Sequence, residues 1–214
     1  MKHLVKGVVV IMLMGAFVAC SKKDSNGDTQ VLAAVTVNDL PADTIIGVSP
    51  NGQPYGSGRF TLYSLERNQV VSNVDSNTNK WDIGFRGTTV ITNSGTGGPG
   101  MGGGFVFVGT FDNLKSVPTD STIRVDAAPS AYAITNGSNR GWYVYNPTAN
   151  LVTPIPGRVL VIRTGTGKFA KVEILNYYRG GVTLPASASD DEKTRKQRFY
   201  TFRFVYQSNG SKNF

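Results

Sequence analysis

Short runs of alternating apolar and polar residues, broken by glycine, proline, asparagine and serine, make up most of the chain between residues 35 and 207. A period of two marks half-buried strands, because successive side chains point to opposite faces. Helical spacing is scarce. RFTLYSLE (59–66) and QVVSNV (69–74) predict a strand pair around Arg67-Asn68. KWDIGFRG (80–87), TTVITN (88–93) and GFVFVGTF (104–111) predict further strands, with a glycine-rich stretch before the last of them. DNLKSVPTD (112–120) predicts one helical turn, TIRVD (122–126) a strand, and GWYVYN (141–146) another ahead of the proline-rich PTANLVTPIPG. RVLVIRT and KFAKVEILNYY, joined by Gly165-Thr166-Gly167, predict a hairpin. RFYTFRFVYQ places Tyr200, Phe202, Phe204 and Tyr206 on one core face of the last strand, with Thr201, Arg203 and Val205 opposite. SASDDEKTRKQ (187–197) reads as a solvated loop. Trp81 and Trp142 are expected in the core, and Arg163 beside Lys171 as a cross-strand surface pair. The expectation is one all-β, mostly antiparallel domain over 35–207, a sandwich or an irregular multi-sheet fold, with 208–214 as a short tail.

The first 34 residues follow a different pattern. Lys2 and Lys6 precede an apolar run over 8–19, too short to span a bilayer, which ends at Ala19-Cys20. A basic start, an apolar middle and a small-residue end make a secretory signal over 1–19. Cys20 is the only cysteine and stands where a lipoprotein signal peptidase leaves a lipidated first residue, although Phe17 replaces the usual leucine in FVAC. Residues 20–34, including SKKDSNGDTQ, are expected as a lipidated, flexible linker. Ser21 rather than aspartate after the cysteine points to the outer membrane of a Gram-negative cell, and to its surface. The lipid would be the membrane partner, and one cysteine rules out an internal disulfide.

Composition narrows the chemistry. The net charge of +8 favours anionic ligands, but there is no basic helix, RNP-like aromatic motif or finger, so nucleic acid is not an expected partner. His3, the sole histidine, lies in the signal, and Met101 is the one methionine outside it. A histidine general base, a Ser-His-Asp triad and a His/Cys zinc site are therefore excluded by inventory. An enzyme would need a carboxylate pair, and nothing in the sequence brings Asp82, Asp112, Asp120, Asp126 and Glu173 near one another; most carboxylates read as surface groups, so the chain is expected to be non-catalytic.

In TNSGTGGPGMGGGFVFVG (92–109), Gly98, Gly100 and Gly103 satisfy G-x-G-x-x-G. The dinucleotide reading needs a helix N-terminus after the glycines, and GFVFVGTF is a strand pattern. No G-K-[ST] follows either. The stretch is expected to be a long hairpin loop that brings Met101 to a pocket mouth.

The order of these elements carries a resemblance. A lipoprotein signal, WDIGFRG, the glycine-rich stretch, VPTDSTIRVD, GWYVYN, PGRVLVIRTGTGKFAKVEILNYY and RFYTFRFVYQ together resemble the HmuY family of haem-binding lipoproteins of Bacteroidetes, over about 79–207. The resemblance implies an all-β surface lipoprotein that captures haem and passes it to a TonB-dependent outer-membrane receptor. It also implies two axial side chains, a histidine pair or a methionine pair, which this chain cannot supply. Pro147 stands after the aromatic strand where one ligand is expected, and the stretch before it offers Tyr132 and Asn136. Three readings remain: a haem or porphyrin binder with non-histidine ligation, the same fold serving another ligand or a protein partner, and an enzyme. For the first, Met101, Tyr132, Tyr143 and Tyr145 are the candidate ligands, and Arg140 and Arg158 the candidate partners of the propionates.

Overall fold

In the computed structural model, residues 32–127, 129 and 131–214 are described. The expected signal, Cys20 and the first part of the linker lie outside the described residues. In chain order the strands are β1 (Val35–Pro41), β2 (Gly47–Val48), β3 (Pro54–Tyr55), β4 (Thr61–Ser64), β5 (Gln69–Val71), β6 (Ile83–Arg86), β7 (Thr89–Thr92), β8 (Gly103–Val108), β9 (Tyr143–Asn146), β10 (Leu151–Pro154), β11 (Arg158–Arg163), β12 (Phe169–Tyr178) and β13 (Gln197–Gln207). A 3-10 turn (Asn73–Asp75) follows β5, and α1 (Asp190–Lys196) precedes β13. The fold is all-β and antiparallel, as expected.

A five-stranded sheet, β1-β13-β12-β11-β8, forms the centre. The β11–β12 hairpin turns at the predicted Gly165–Gly167 segment, with Arg163 opposite Phe169 and Val161 opposite Lys171. Arg163 and Lys171 are therefore not cross-strand neighbours. Both faces of this sheet are covered. Leu160, Ile162, Ala170, Val172, Phe202 and Phe204 enter the main core. Val159, Val161 and Val205 face a second cluster built with Phe111, Leu114, Val117 and Phe169. A strand buried on both sides explains why its middle, Val159 to Ile162, is an unbroken apolar run.

The second large sheet, β5-β4-β6-β7, packs one face onto the first. Tyr63, Ile83, Phe85 and Val90 meet the Tyr200-Phe202-Phe204 stripe, with Phe85 to Tyr200 centroids 4.7 Å apart and Tyr63 edge-on to Phe202 at 5.5 Å. The stripe is a core face, as its alternation predicts. Each such aromatic side chain contributes roughly 1.5–3 kcal/mol by burial. The other face of the four-stranded sheet carries Leu62, Val71 and Ile91, which group with Trp81 and partly buried Phe60 and Tyr132. Trp142 is likewise buried, against Tyr200 and Tyr177.

Several expectations are corrected. SASDDEKTRKQ contains a helix: Ser189 caps it by accepting from the Glu192 N–H at 3.1 Å, and Asp190, Asp191 and Glu192 fill the first turn. Arg195 pairs with Asp191 and Lys196 with Glu192 at spacing i,i+4. Ser189-x-x-Glu192 is a capping-box spacing, and the charge order suits the helix dipole. TIRVD supplies only an isolated bridge, Arg124 to Gly104. DNLKSVPTD keeps the expected single turn, with Leu114 N–H donating to Thr110 O at 3.2 Å, and no helix beyond it. PTANLVTPIPG contributes β10, which pairs with β9. The C-terminal residues fold back: Val117 N–H donates to Lys212 O at 2.8 Å, Phe214 N–H donates to Lys115 O at 2.7 Å, and Phe214 packs on the second cluster.

The glycine stretch does not close a hairpin. It crosses from β7 in the four-stranded sheet to β8 in the five-stranded one. Buried polar groups hold it. Asn93 Nδ2 donates to Thr78 O and Trp81 O, both at 2.8 Å, and Asn93 Oδ1 accepts from Gly100 N–H at 2.8 Å. A methyl group at Gly98 would overlap Asn93 Oδ1 and sit 2.5 Å from Trp81 Cζ2. The glycine there serves close approach of loop to core rather than mobility.

Candidate functional site

Asp82 and Asp126, expected at the surface, are buried on either side of this crossing. Asp82 accepts from Leu65 N–H at 2.7 Å and Gly165 N–H at 3.0 Å, so it ties β4 to the β11–β12 turn. Asp126 accepts from Thr92 N–H and Ala133 N–H, each at 2.7 Å, so it ties β7 to the segment carrying Tyr132. Burial pushes both carboxyls above their ordinary range, and the backbone N–H donors oppose it, Gly165 and Leu65 at Asp82, Ala133 and Thr92 at Asp126. These carboxylates are taken up by backbone donors, and among the described residues no cluster of His, Cys, Asp and Glu could hold a metal ion.

Besides a cavity of about 440 Å³ on the glycine crossing itself, lined by residues 95–99 with Ser76 and Asn77, two cavities lie near this framework. The first, of about 490 Å³, opens on the outer face of the four-stranded sheet. Leu62, Trp81 and Ile91 line it with Phe60, and Arg59 and Val74 stand among its walls. The second, of about 400 Å³, lies in the 124–140 segment and is lined by Arg124, Tyr132, Thr135, Asn136, Gly137 and Arg140, with Pro129 and Ala131. Tyr132 belongs to both neighbourhoods, since it also packs against the Leu62-Trp81-Ile91 cluster.

The second cavity is locally fastened. Ala127 and Ala131 pair through two backbone bonds of 2.7 and 3.1 Å. Arg124 Nη2 donates to Ala133 O and, at 2.8 Å, to Thr135 Oγ1. Asn136 Nδ2 donates to Thr89 Oγ1 at 3.0 Å, which joins the cavity wall to β7.

Of the six residues singled out from sequence as ligand contacts, the structure brings two together: Tyr132 and Arg140. Met101 lines neither cavity. It is 62 % exposed, its N–H donates to Gly165 O at 3.0 Å, and its methyl lies over Gly167. Tyr143 is buried in the main core, and its hydroxyl accepts from Thr88 Oγ1 at 3.2 Å. Tyr145 stands 42 % exposed on the β9–β10 hairpin, its hydroxyl donating to Asn150 Oδ1 at 3.2 Å. Arg158 starts β11 opposite Val108, away from the cavity linings. Sequence reasoning missed Arg124, which it read only as part of a strand. Nothing in the spacing of Arg124 and Arg140 marks them as neighbours, because a loop brings them together.

The class these features define is an antiparallel β-sheet protein with ligand-sized cavities open to solvent and no helix, among the described residues, long and apolar enough to cross a membrane. Its sequence matches the family described as HmuY protein over residues 58–185, more than half of the chain. The protein belongs to the HmuY family. No curated protein matches it in sequence. Among solved structures it is similar to the apo HmuY analog of Tannerella forsythia, at 14 % identity and a TM-score of 0.44, covering 83 % of this chain and 96 % of that one. A candidate HmuY-like heme binding protein of Bacteroides vulgatus ATCC 8482 gives 14 % identity and a TM-score of 0.47, covering 81 % and 90 %. A candidate lipoprotein of Bacteroides fragilis NCTC 9343 gives 14 % and 0.45, covering 81 % and 88 %.

Proposed function

We propose that this member of the HmuY family is an exported, lipid-anchored, non-catalytic binding protein. In this reading it captures haem or a related porphyrin at the outer membrane for transfer to a receptor there. The observation that carries it is the convergence of one phenol, Tyr132, with two guanidinium groups, Arg124 and Arg140, on a single cavity in a chain of this family.

The residues present fit part of the expected chemistry. Iron held between two histidines or two methionines does not fit, because His3 lies within the expected signal and Met101 lies outside both cavities. A phenolic oxygen is an accepted axial ligand of ferric haem. Tyr132, in the lining of the second cavity, would offer it, while Arg124 and Arg140 would match two carboxylates by charge. Bound haem would supply the iron that a receptor takes up. This chain's part is to orient the carboxylates and hold one oxygen ligand.

A second reading rests on the scarcity of apolar side chains in the same lining, where Pro129 and Ala131 are the apolar members beside Tyr132. Such a cavity also suits a small polar anion without iron.

A haemin titration of the purified protein separates the two. A saturable one-to-one Soret shift is expected, and Tyr132→Phe should change its band position while Met101→Ala leaves it unchanged. An absorbance that rises without saturation, or a Soret band that Tyr132→Phe does not move, would reject the haem assignment and leave the polar-anion reading in its place.

A further inference from the structure

The cavity on the outer face of the four-stranded sheet has a different chemistry. Its floor is apolar, formed by Leu62 on β4 and Ile91 on β7, flanked by Trp81 and Phe60. None of its lining residues is a histidine, methionine, cysteine or tyrosine, so nothing in it ligates iron. Asn73 and Ser76 add neutral polar groups, and its charged feature is positive, at the rim. Arg59 stands exposed in the lining, and no carboxylate pairs with it among the described residues. Arg86 lies 4.3 Å above the Phe60 ring, and its Nη1 donates to Gly58 O at 3.1 Å, so a second cation backs the same wall. Val74, on the 3-10 turn beside the opening, is 88 % exposed.

Leu62, Trp81 and Ile91 are each at most 5 % exposed, so the apolar surface left to water at this opening belongs to half-buried Phe60 and to Val74, and leaving it bare costs free energy. A hydrocarbon body seated against Phe60 and Val74 would remove that surface from water. A cation at the edge with no partner of its own matches an anionic head group. We infer that this cavity is a second, iron-independent ligand site for a small amphiphilic monoanion: a hydrocarbon body against Phe60 and Val74, above the Leu62-Ile91-Trp81 floor, and one carboxylate, or an equivalent anionic group, on Arg59. The site is distinct in lining from the Tyr132 cavity and does not depend on haem binding there.

The probe is 1-anilinonaphthalene-8-sulfonate, an apolar ring system with one anionic group, with decanoate as the competing carboxylate. The folded protein should enhance its fluorescence saturably at one site, with energy transfer from Trp81, and decanoate should displace it. Arg59→Gln should weaken the affinity about tenfold, the loss of one charge-assisted contact. Val74→Asp, at an exposed position that the fold does not need, should weaken it by repulsion and should do so less at high salt. Arg140→Gln, in the lining of the second cavity alone, should leave the probe's affinity unchanged even where it weakens haemin binding, so the two assignments stand or fall separately. Non-saturating fluorescence, a neutral analogue that binds as well as the anion, or affinity untouched by both Arg59→Gln and Val74→Asp would overturn the inference.

Discussion

Asn93 offers the most direct test of how this fold is held. Its side chain is fully buried and makes three hydrogen bonds, to Thr78 O, Trp81 O and Gly100 N–H. In Asn93→Ala all three backbone groups lose their partner at a place water reaches poorly. A typical bond contributes about 1 kcal/mol net, and a buried group left unpaired costs about 1–3 kcal/mol. The substitution should therefore destabilise the domain by about 3–4 kcal/mol, a large part of the 5–15 kcal/mol typical of a folded domain. Urea unfolding followed by fluorescence reads it as a shift of the midpoint with unchanged slope.

Asn93→Asp sharpens the test. It keeps an acceptor for Gly100 N–H but turns an oxygen towards the carbonyls of Thr78 and Trp81, which disfavours the ionised form. The folded-state pKa is then raised above the unfolded one. For a raised carboxyl the folded state binds more protons, so stability is regained as pH falls through the folded pKa. Relative to the parent, Asn93→Asp should gain stability between pH 7 and pH 5. Gly98→Ala should lose about 1–3 kcal/mol by overpacking against Trp81. If Asn93→Ala cost less than about 1 kcal/mol and Asn93→Asp showed no relief in acid, the claim that this side chain fastens the crossing loop would be refuted.

Two other outcomes follow from buried charge. Lys171 donates to Phe111 O and Leu114 O, both at 2.8 Å, while burial and then neighbouring Lys115 hold its ammonium below the ordinary range; Lys171→Met should cost about 2–3 kcal/mol, and hydrogen exchange should quicken at the Val117 and Phe214 amides, which pin the same strap. Asp82 and Asp126 have folded-state pKa values raised by burial, so on their account stability increases as pH falls from neutral through those values and levels off below about 3.9, the unfolded value. Exposed Glu192, held low by Lys196, acts weakly in the opposite sense. The melting temperature should therefore hold or rise between pH 7 and pH 5, and a steady fall over that range would contradict the assignment.

What was legible in the sequence is what repeats with period two. The β11–β12 hairpin and the aromatic stripe of β13 follow from alternation and a glycine turn, because those patterns depend only on neighbours along the chain. The helix at Asp190–Lys196 was equally local and was signalled by Ser189 and Glu192, but a dense charge run masked it. The role of the glycines was not legible. Glycines look alike whether they loosen a loop or let it press onto Asn93 and Trp81, and the carbonyls that fix Asn93 lie 15 and 12 positions away in the chain. Asp82 and Asp126 read as surface groups for the same reason: a buried carboxylate is stabilised by backbone donors from distant segments, and no side-chain motif announces them. Of the candidate site, Tyr132 and Arg140 were visible as residue types, whereas Arg124 needed the loop's path.

The buried polar groups also bear on the proposed ligand site. Asp126 accepts from both Thr92 and Ala133, so the carboxylate that anchors the start of the glycine crossing also fixes the residue next to Tyr132. Arg124 holds the opposite side of Ala133 through its carbonyl, and the Ala127–Ala131 pair closes the base of the segment. Tyr132 is thus carried on backbone bonded before it and after it, with its ring set partly into the Trp81-Ile91 cluster. A side chain held this way loses little further freedom when a ligand arrives, and that loss is among the main costs of binding. In the proposed haem site a single phenol and two guanidiniums would be a sparse ligand set beside an axial pair of histidines, so preorganisation would have to supply affinity that the number of contacts does not. The polar network under the glycine crossing is where that preorganisation originates.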